Sequence, residues 1–142
     1  MKVSIIKIGG NLIEDESVLK KVLQNFARLE GAKILVHGGG KLATQVSEKL
    51  GIATQMVDGR RITNRETLDV ITMVYGGLVN KTIVANLQSL NCNALGLSGA
   101  DLNSIKSVKR PVKTHDFGFV GDVTAVNSEM FSLLLNNNIT PV

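Results

Sequence analysis

Four residues of buried-strand character, Ile34-Leu35-Val36-His37, run straight into Gly38-Gly39-Gly40, and a helical pattern starts at once with Lys41, Leu42, Ala43 and Val46. Glycine has no Cβ, so consecutive glycines let the backbone reach φ > 0 and bring its N–H groups within hydrogen-bonding range of a ligand. A helix opening directly afterwards adds unpaired N–H groups and the positive end of its dipole. The product is a seat for an anion. The run Val3–Ile8 ends in a smaller version, Lys7-Ile8-Gly9-Gly10-Asn11, which brings a fixed cation. As neighbours in a parallel sheet, these two strands open both loops at one carboxyl edge, where α/β proteins bind their ligands. Each loop alone is equally a tight strand-to-helix turn. Two of them on one edge, with a lysine between, favour the anion site.

The flanking sequence fits such a sheet. Val3-Ser4-Ile5-Ile6-Lys7-Ile8 is too apolar for a strand with one wet face. Behind the acidic Glu14-Asp15-Glu16, residues Val18, Leu19, Val22, Leu23, Phe26 and Leu29 recur at helical spacing, and Gly31 is placed to end that helix. Lys33–Val36 is the next strand, and Lys41–Leu50 the next helix, closed by Gly51. Strand, helix, strand, helix with short connections predicts a parallel sheet with right-handed crossovers.

Beyond Ile52 the pattern changes. Asp58-Gly59 predicts a hairpin turn within a small β excursion over 52–63, and Thr63-Asn64-Arg65-Glu66 fits a capping box. Leu68, Val70, Ile71, Val74 and Leu78, then Val79, Ile83, Val84, Leu87 and Leu90, predict one long helix. Gly76-Gly77 interrupts it, so a kink, a break or a close helix contact is expected there. Such a helix suits self-association or an internal core contact. Asn93–Leu97 is a third sheet strand, followed by a turn at Ser98-Gly99-Ala100-Asp101. Ile105–Lys113 and Phe117–Val126 predict a hairpin with Gly118 and Gly121 at bulges or bends. Asn127-Ser128 caps a last helix through Leu135, and Ile139–Val142 starts another strand. Stopping there reads as the front part of a longer protein.

Composition narrows the partners. The chain has 16 basic and 12 acidic residues for a net charge of +4. That excess is mild and spread out, and only five residues are aromatic. A nucleic-acid groove needs clustered Lys/Arg and stacking aromatics, so nucleic acid is not expected. Cys92 has no partner for a disulfide and no metal-ligand spacing around it. No apolar run approaches a membrane span, which predicts a soluble, cytoplasmic protein with no membrane partner.

Lys7 and the glycine amides are the parts phosphoryl transfer asks for: positive charge and fixed donors where the transferring oxygens gather negative charge. Neither loop is a Walker motif or Gly-x-Gly-x-x-Gly. Arg61 can clamp a carboxylate through its planar fork, or pair on the surface with Asp58 or Glu66. Arg60 points to the opposite face of an extended segment. His37 is either a general base lacking an orienting acid or a loop anchor acting through its ring N–H. His115, beside Asp116, sits in a solvated turn. Asp101 and Asp122 form no metal-ligand cluster, and no metal site is assigned.

Together Lys7–Gly10, His37–Gly40, Asp58–Thr63, Val79-Asn80-Lys81, Gly96–Gly99 and Gly118–Val123 with Val126-Asn127 closely resemble the amino acid kinase family, and within it the acetylglutamate kinases. The resemblance runs over essentially the whole chain. It implies a three-layer α/β/α sandwich with a mainly parallel central sheet plus β-hairpin excursions. Residues 1–142 would be the N-terminal, acyl-amino-acid-binding lobe, with the C-terminal ATP-binding lobe absent. It implies ATP-dependent phosphorylation of the γ-carboxylate of N-acetyl-L-glutamate, or another N-acylglutamate, in arginine biosynthesis. ATP with Mg2+ would be the co-substrate, not held tightly by this chain.

Carried over by residue, Lys7 would stabilise the transferring phosphoryl group, and Lys7, Gly9 and Gly10 would meet the ATP phosphates. Gly39 and Gly40 would bind the substrate, and Arg61 its α-carboxylate. The resemblance also implies a homodimer through the helix of residues 64–90. Met1 leads directly into the first strand without the N-terminal helix of the arginine-inhibited hexamers, so arginine feedback is not expected.

Arg60 stands where the family commonly has an apolar residue, and Leu102 where it often has Gly. The family's Asn-x-Asn-x-Asp stretch would begin just past Val142, and the second catalytic lysine further on, so this chain alone is expected to be inactive. Two other readings are a kinase for a related N-blocked amino acid such as an aminoadipate derivative, and a non-catalytic acyl-amino-acid-binding module.

Overall fold

The computed structural model describes residues 2–142; Met1, and with it the entry into the first strand, lies outside them. Val3–Ile8 forms β1 and Ala32–His37 forms β2, parallel, with Lys7 opposite Val36 and Ile8 opposite His37. Between them run α1 (Gly10–Glu14) and α2 (Glu16–Ala27). The Asp15 carboxylate caps α2 by accepting from the Val18 amide at 3.0 Å. Gly31 leaves that helix at φ +81°, and the buried Lys33 ammonium satisfies the last carbonyls, donating to Ala27 and Leu29.

After β2 come α3 (Gly40–Lys49) and the hairpin of β3 (Gln55–Val57) and β4 (Arg60–Ile62). Its turn residues Asp58 and Gly59 both have positive φ, as a two-residue hairpin of this hand requires. A continuous helix then covers Arg65–Ser89: α4 (Arg65–Ile71), a π-helical stretch (Thr72–Val79) and α5 (Asn80–Ser89). The cap is Asn64, whose side chain accepts from the Thr67 amide at 2.9 Å, instead of the capping box expected from Thr63.

At Gly76-Gly77 the helix widens to π geometry without breaking, and a Cβ on either glycine would meet nothing within 4 Å. Close contact with another element of this chain is therefore not what the pair serves. By length and composition this 25-residue helix is apolar enough to cross a membrane, which corrects the expectation that no run here approaches a span. Its inward stripe is nevertheless occupied: Val70, Val74, Val79, Ile83 and Leu87 share one core with Leu19, Leu23 and Phe26 of α2 and with Ile8 and Leu35.

β5 (Ala94–Leu95) lies parallel to β8 (Thr140–Pro141), and their bonding reaches from Asn93 to Leu97: Thr140 donates to Asn93, Val142 to Leu95 and Leu97 to Val142. β8 also runs beside β2, but among the described residues no ladder joins the two, so the expected single sheet is two parallel pairs side by side. Proline explains the gap. Thr140 and Val142 turn their amides to β5, so the donor owed to β2 is the one Pro141 lacks. On the other side α6 (Ser128–Asn136), capped by Asn127, lies over β2 and β8 and buries Met130 and Leu134 apart from the main core. The layering is helix, strand, helix.

The second hairpin pairs β6 (Ile105–Lys109) with β7 (Gly121–Val126), shorter than the sequence suggested, and its irregularity falls between Lys106 and Ser107 instead of at a glycine. Gly118 has another task. At φ +73° it lies against the Thr63 carbonyl, where a Cβ would overlap the oxygen, and it ties this loop to the end of β4.

Candidate functional site

The carboxyl ends of β1 and β2 bring the two glycine loops into contact. A Cβ on Gly10 would lie 3.9 Å from the Gly40 amide nitrogen, and one on Gly38 would lie 3.8 Å from that of Gly10. Gly9 precedes α1 and Gly39 precedes the ten-residue α3. Among the described residues the Gly39 amide has no hydrogen-bond acceptor. It is an uncommitted donor at the positive end of a helix.

Lys7 sits on the face of β1 opposite the buried Ile8, exposed and, among the described residues, free of ion pairs. It is paired with Val36, a short step before the glycines, and such paired residues sit about 4.8 Å apart.

Arg61 reaches this place from the hairpin. Nη2 donates to the Gly40 carbonyl at 2.9 Å and to Thr44 Oγ1 at 2.6 Å, while Nη1 is buried with no partner. The surface pairing with Asp58 or Glu66 is not made. A guanidinium nitrogen out of water and unbonded carries a desolvation cost that an anionic oxygen would relieve. Alternation along β4 sends Arg60 the other way, into a polar cleft of about 770 Å³ shared with Arg110, Lys113 and His115. Arg110 is taken there by Asp122, at 2.7 Å from Nη2 and 2.8 Å from Nε.

Three neighbours had no role at the site in the sequence reading. Tyr75, from the π-helical stretch, lays its ring on the loop: a Cβ on Gly39 would stand 3.0 and 3.1 Å from two ring carbons, and one on Gly40 3.4 Å from the hydroxyl. The chain's single tyrosine beside a glycine pair was the available signal, but only π geometry aims it here. Thr44 was legible as the residue one turn after Gly40. Asn80 holds His37: its Nδ2 donates to Nε2 at 3.1 Å, while Nδ1 lies 2.9 Å from the Gly38 carbonyl. His37 is thus tied into the loop through both nitrogens.

Beside these groups Tyr75, Val36, Leu97, Ile105, Phe131 and Val142 line an apolar cavity of about 320 Å³. Ser98 lines it too, and its amide and hydroxyl donate to the Asp101 carboxylate at 2.6 and 2.7 Å, which holds Asp101 below the usual aspartate range.

A family model describing the amino acid kinases matches residues 2–142, essentially the whole chain. The chain belongs to the amino acid kinase family. The acetylglutamate kinase of Bacteroides fragilis is 57% identical over 141 residues, covering 99% of this chain and 54% of that protein. That of Cytophaga hutchinsonii is 58% identical over 142 residues, with coverage of 99% and 54%. The chain therefore spans about half the length of the curated relatives it matches. Among solved structures, smu.665 from Streptococcus mutans UA159 superposes with a TM-score of 0.78 at 22% identity, covering 98% of this chain and 56% of that one. That likeness carries the fold. The family read from the glycine motifs is the family found, and the layered α/β architecture agrees with it.

Proposed function

We propose that this chain is the acyl-amino-acid-binding half of an acetylglutamate kinase, which transfers the γ-phosphoryl group of ATP to the γ-carboxylate of an N-acylglutamate in arginine biosynthesis. The observation that carries the reading is the half-used Arg61 guanidinium beside the uncommitted Gly39 amide, supported by the identity to acetylglutamate kinases. In this reading Arg61 takes the α-carboxylate through Nη1, while Gly40 and Thr44 hold the other arm of its fork. The Gly39 and Gly40 amides meet the rest of the substrate.

The γ-carboxylate oxygen then attacks the γ-phosphorus, the bond from phosphorus to the bridging oxygen of ADP breaks, and an acyl phosphate and ADP result. Two anions must approach for this, so the step needs fixed positive charge. Lys7 supplies it at the β1 end, and Gly9 and Gly10 offer donors to the ATP phosphates. Among the described residues no three His, Cys, Asp or Glu side chains converge to hold a metal ion. No step here runs through magnesium, which in the complete reaction would travel with the nucleotide and neutralise its phosphates.

On this reading the ATP-binding half lies outside these 142 residues, and the protein works in the cytoplasm as a homodimer. Support for the dimer is the outward face of the long helix, where Met73 and Leu78 stand 55% and 56% exposed beside the unfilled Gly76-Gly77.

Calorimetric titration tests the function. N-acetylglutamate is expected to bind the folded chain, and ATP alone to give no heat. A folded chain that ignores N-acetylglutamate, or one that turns over ATP unaided, overturns the assignment.

A further inference from the structure

The Val79-Asn80-Lys81 motif plays no part in the chemistry above, yet Asn80 is buried to 2% exposure at the junction of three strands. Its Nδ2 is shared between His37 Nε2 and the Val142 carbonyl, each at 3.1 Å. Its Oδ1 accepts from Lys81 Nζ at 3.2 Å, and the same ammonium donates to the Gly96 carbonyl at 3.3 Å. The packing leaves no slack, since a Cβ on Gly96 would overlap Oδ1.

A carboxamide can ordinarily turn over and exchange its oxygen and nitrogen. An ammonium only donates and a carbonyl only accepts, so Lys81 requires Oδ1 on its side and Val142 requires Nδ2 on the other, which leaves Nδ2 facing His37. Nε2 must then accept, and a neutral imidazole carries its one proton on Nδ1. That proton points at the Gly38 carbonyl, 2.9 Å away. The peptide joining Gly38 to Gly39 is trans, so a carbonyl held against the imidazole sends the Gly39 N–H the opposite way, off the ring.

The geometry points to Asn80 and Lys81 as positioning residues, which fix the His37 tautomer and through it aim the Gly39 amide at the bound anion. Lys81 and the Val142 carbonyl orient Asn80, Asn80 sets the imidazole, the imidazole holds one carbonyl, and the amide follows. What that amide is aimed at rests on the acylglutamate reading. The relay itself does not.

The test is 15N–1H correlation spectroscopy of the imidazole at a pH where it is neutral. A His115→Gln background leaves His37 as the only histidine of the two. The parent is expected to show a protonated Nδ1 and a bare Nε2. In Asn80→Asp the new carboxylate accepts where the amide donated, so the proton should move to Nε2, and the N-acetylglutamate Kd should rise about tenfold, the worth of one well-placed hydrogen bond. Lys81→Met leaves only the Val142 carbonyl to orient the carboxamide and should let a minor Nε2-protonated form appear beside the parent's tautomer at an almost unchanged melting temperature; it also serves if Asn80→Asp does not fold.

A parent with its proton on Nε2, or variants that keep the parent's tautomer, overturns the relay. A shifted tautomer with an unchanged Kd overturns the positioning role. A shifted tautomer in a chain whose parent never binds N-acetylglutamate supports the relay and overturns the acylglutamate reading instead.

Discussion

Arg61→Lys and Arg61→Ala separate charge from geometry at the candidate carboxylate clamp. A guanidinium-to-carboxylate hydrogen bond is worth about 1.5–3 kcal/mol. Nη2 is already spent on the Gly40 carbonyl and Thr44 Oγ1 at 2.9 and 2.6 Å, so the fork offers the ligand chiefly Nη1. Removing it should therefore cost one strong bond and not two, about 2–3 kcal/mol, or roughly 30- to 150-fold in the N-acetylglutamate Kd. Lysine keeps the charge but cannot reach Thr44, Gly40 and the ligand together, so Arg61→Lys should lose about tenfold.

Fold stability should hardly move in Arg61→Ala. The Gly40 carbonyl and Thr44 hydroxyl lose a partner worth about 1 kcal/mol, while the burden of a buried, unbonded Nη1 disappears with the side chain. Titration calorimetry reads the affinity and thermal denaturation reads the fold. An Arg61→Ala chain that melts like the parent and binds N-acetylglutamate within twofold of it would refute the assignment of Arg61 to the substrate.

Other positions test the loop and its surroundings. Gly39→Ala places a methyl 3.0 and 3.1 Å from Tyr75 ring carbons, so the ring must give way; a loss of about 1 kcal/mol in urea unfolding is expected. Leu102 holds φ +50° and ψ 27° while 68% exposed, a left-handed geometry that costs a branched residue about 1–2 kcal/mol; Leu102→Gly should raise the urea midpoint, partly offset by glycine's looser unfolded state. The Ser98 amide and hydroxyl hold the folded Asp101 below its ordinary value of 3.8, so its contribution is present above that pH and is lost as pH falls through the lower folded value. Asp101→Asn should accordingly lose that contribution at neutral pH and flatten the acid limb of a stability profile, the two chains converging below about pH 4.

Local chemistry made part of this molecule legible in its residues. The apolar runs of β1 and β2, the glycines after them and the Asp58-Gly59 turn each declare themselves within a few positions. Strand alternation set Arg60 and Arg61 on opposite faces, and the family resemblance chose Arg61. What stayed hidden depends on partners far along the chain. The 65–89 helix shows a plain helical period, and nothing in that period says that Gly76-Gly77 widens it to π geometry and swings Tyr75 onto Gly39. Asn80 read only as part of a family signature until the fold set it between His37, Lys81 and Val142. The gap between β2 and β8 was written in Pro141, but needed the knowledge of which strand lay on which side. The membrane-length apolar stretch was missed because its continuous part, Val70 to Val79, is only ten residues long, and the length of a span is reached only across the polar Asn80-Lys81-Thr82.

The account turns on one mouth at the ends of β1 and β2 that holds anionic oxygen. Amide NMR of the 15N-labelled chain during titration with N-acetylglutamate tests it most directly. Saturable shifts centred on Gly39, Gly40 and the Arg61 side chain are the expected result; shifts confined to the Arg60 and Lys113 cleft, or none at all in a folded chain, would contradict it.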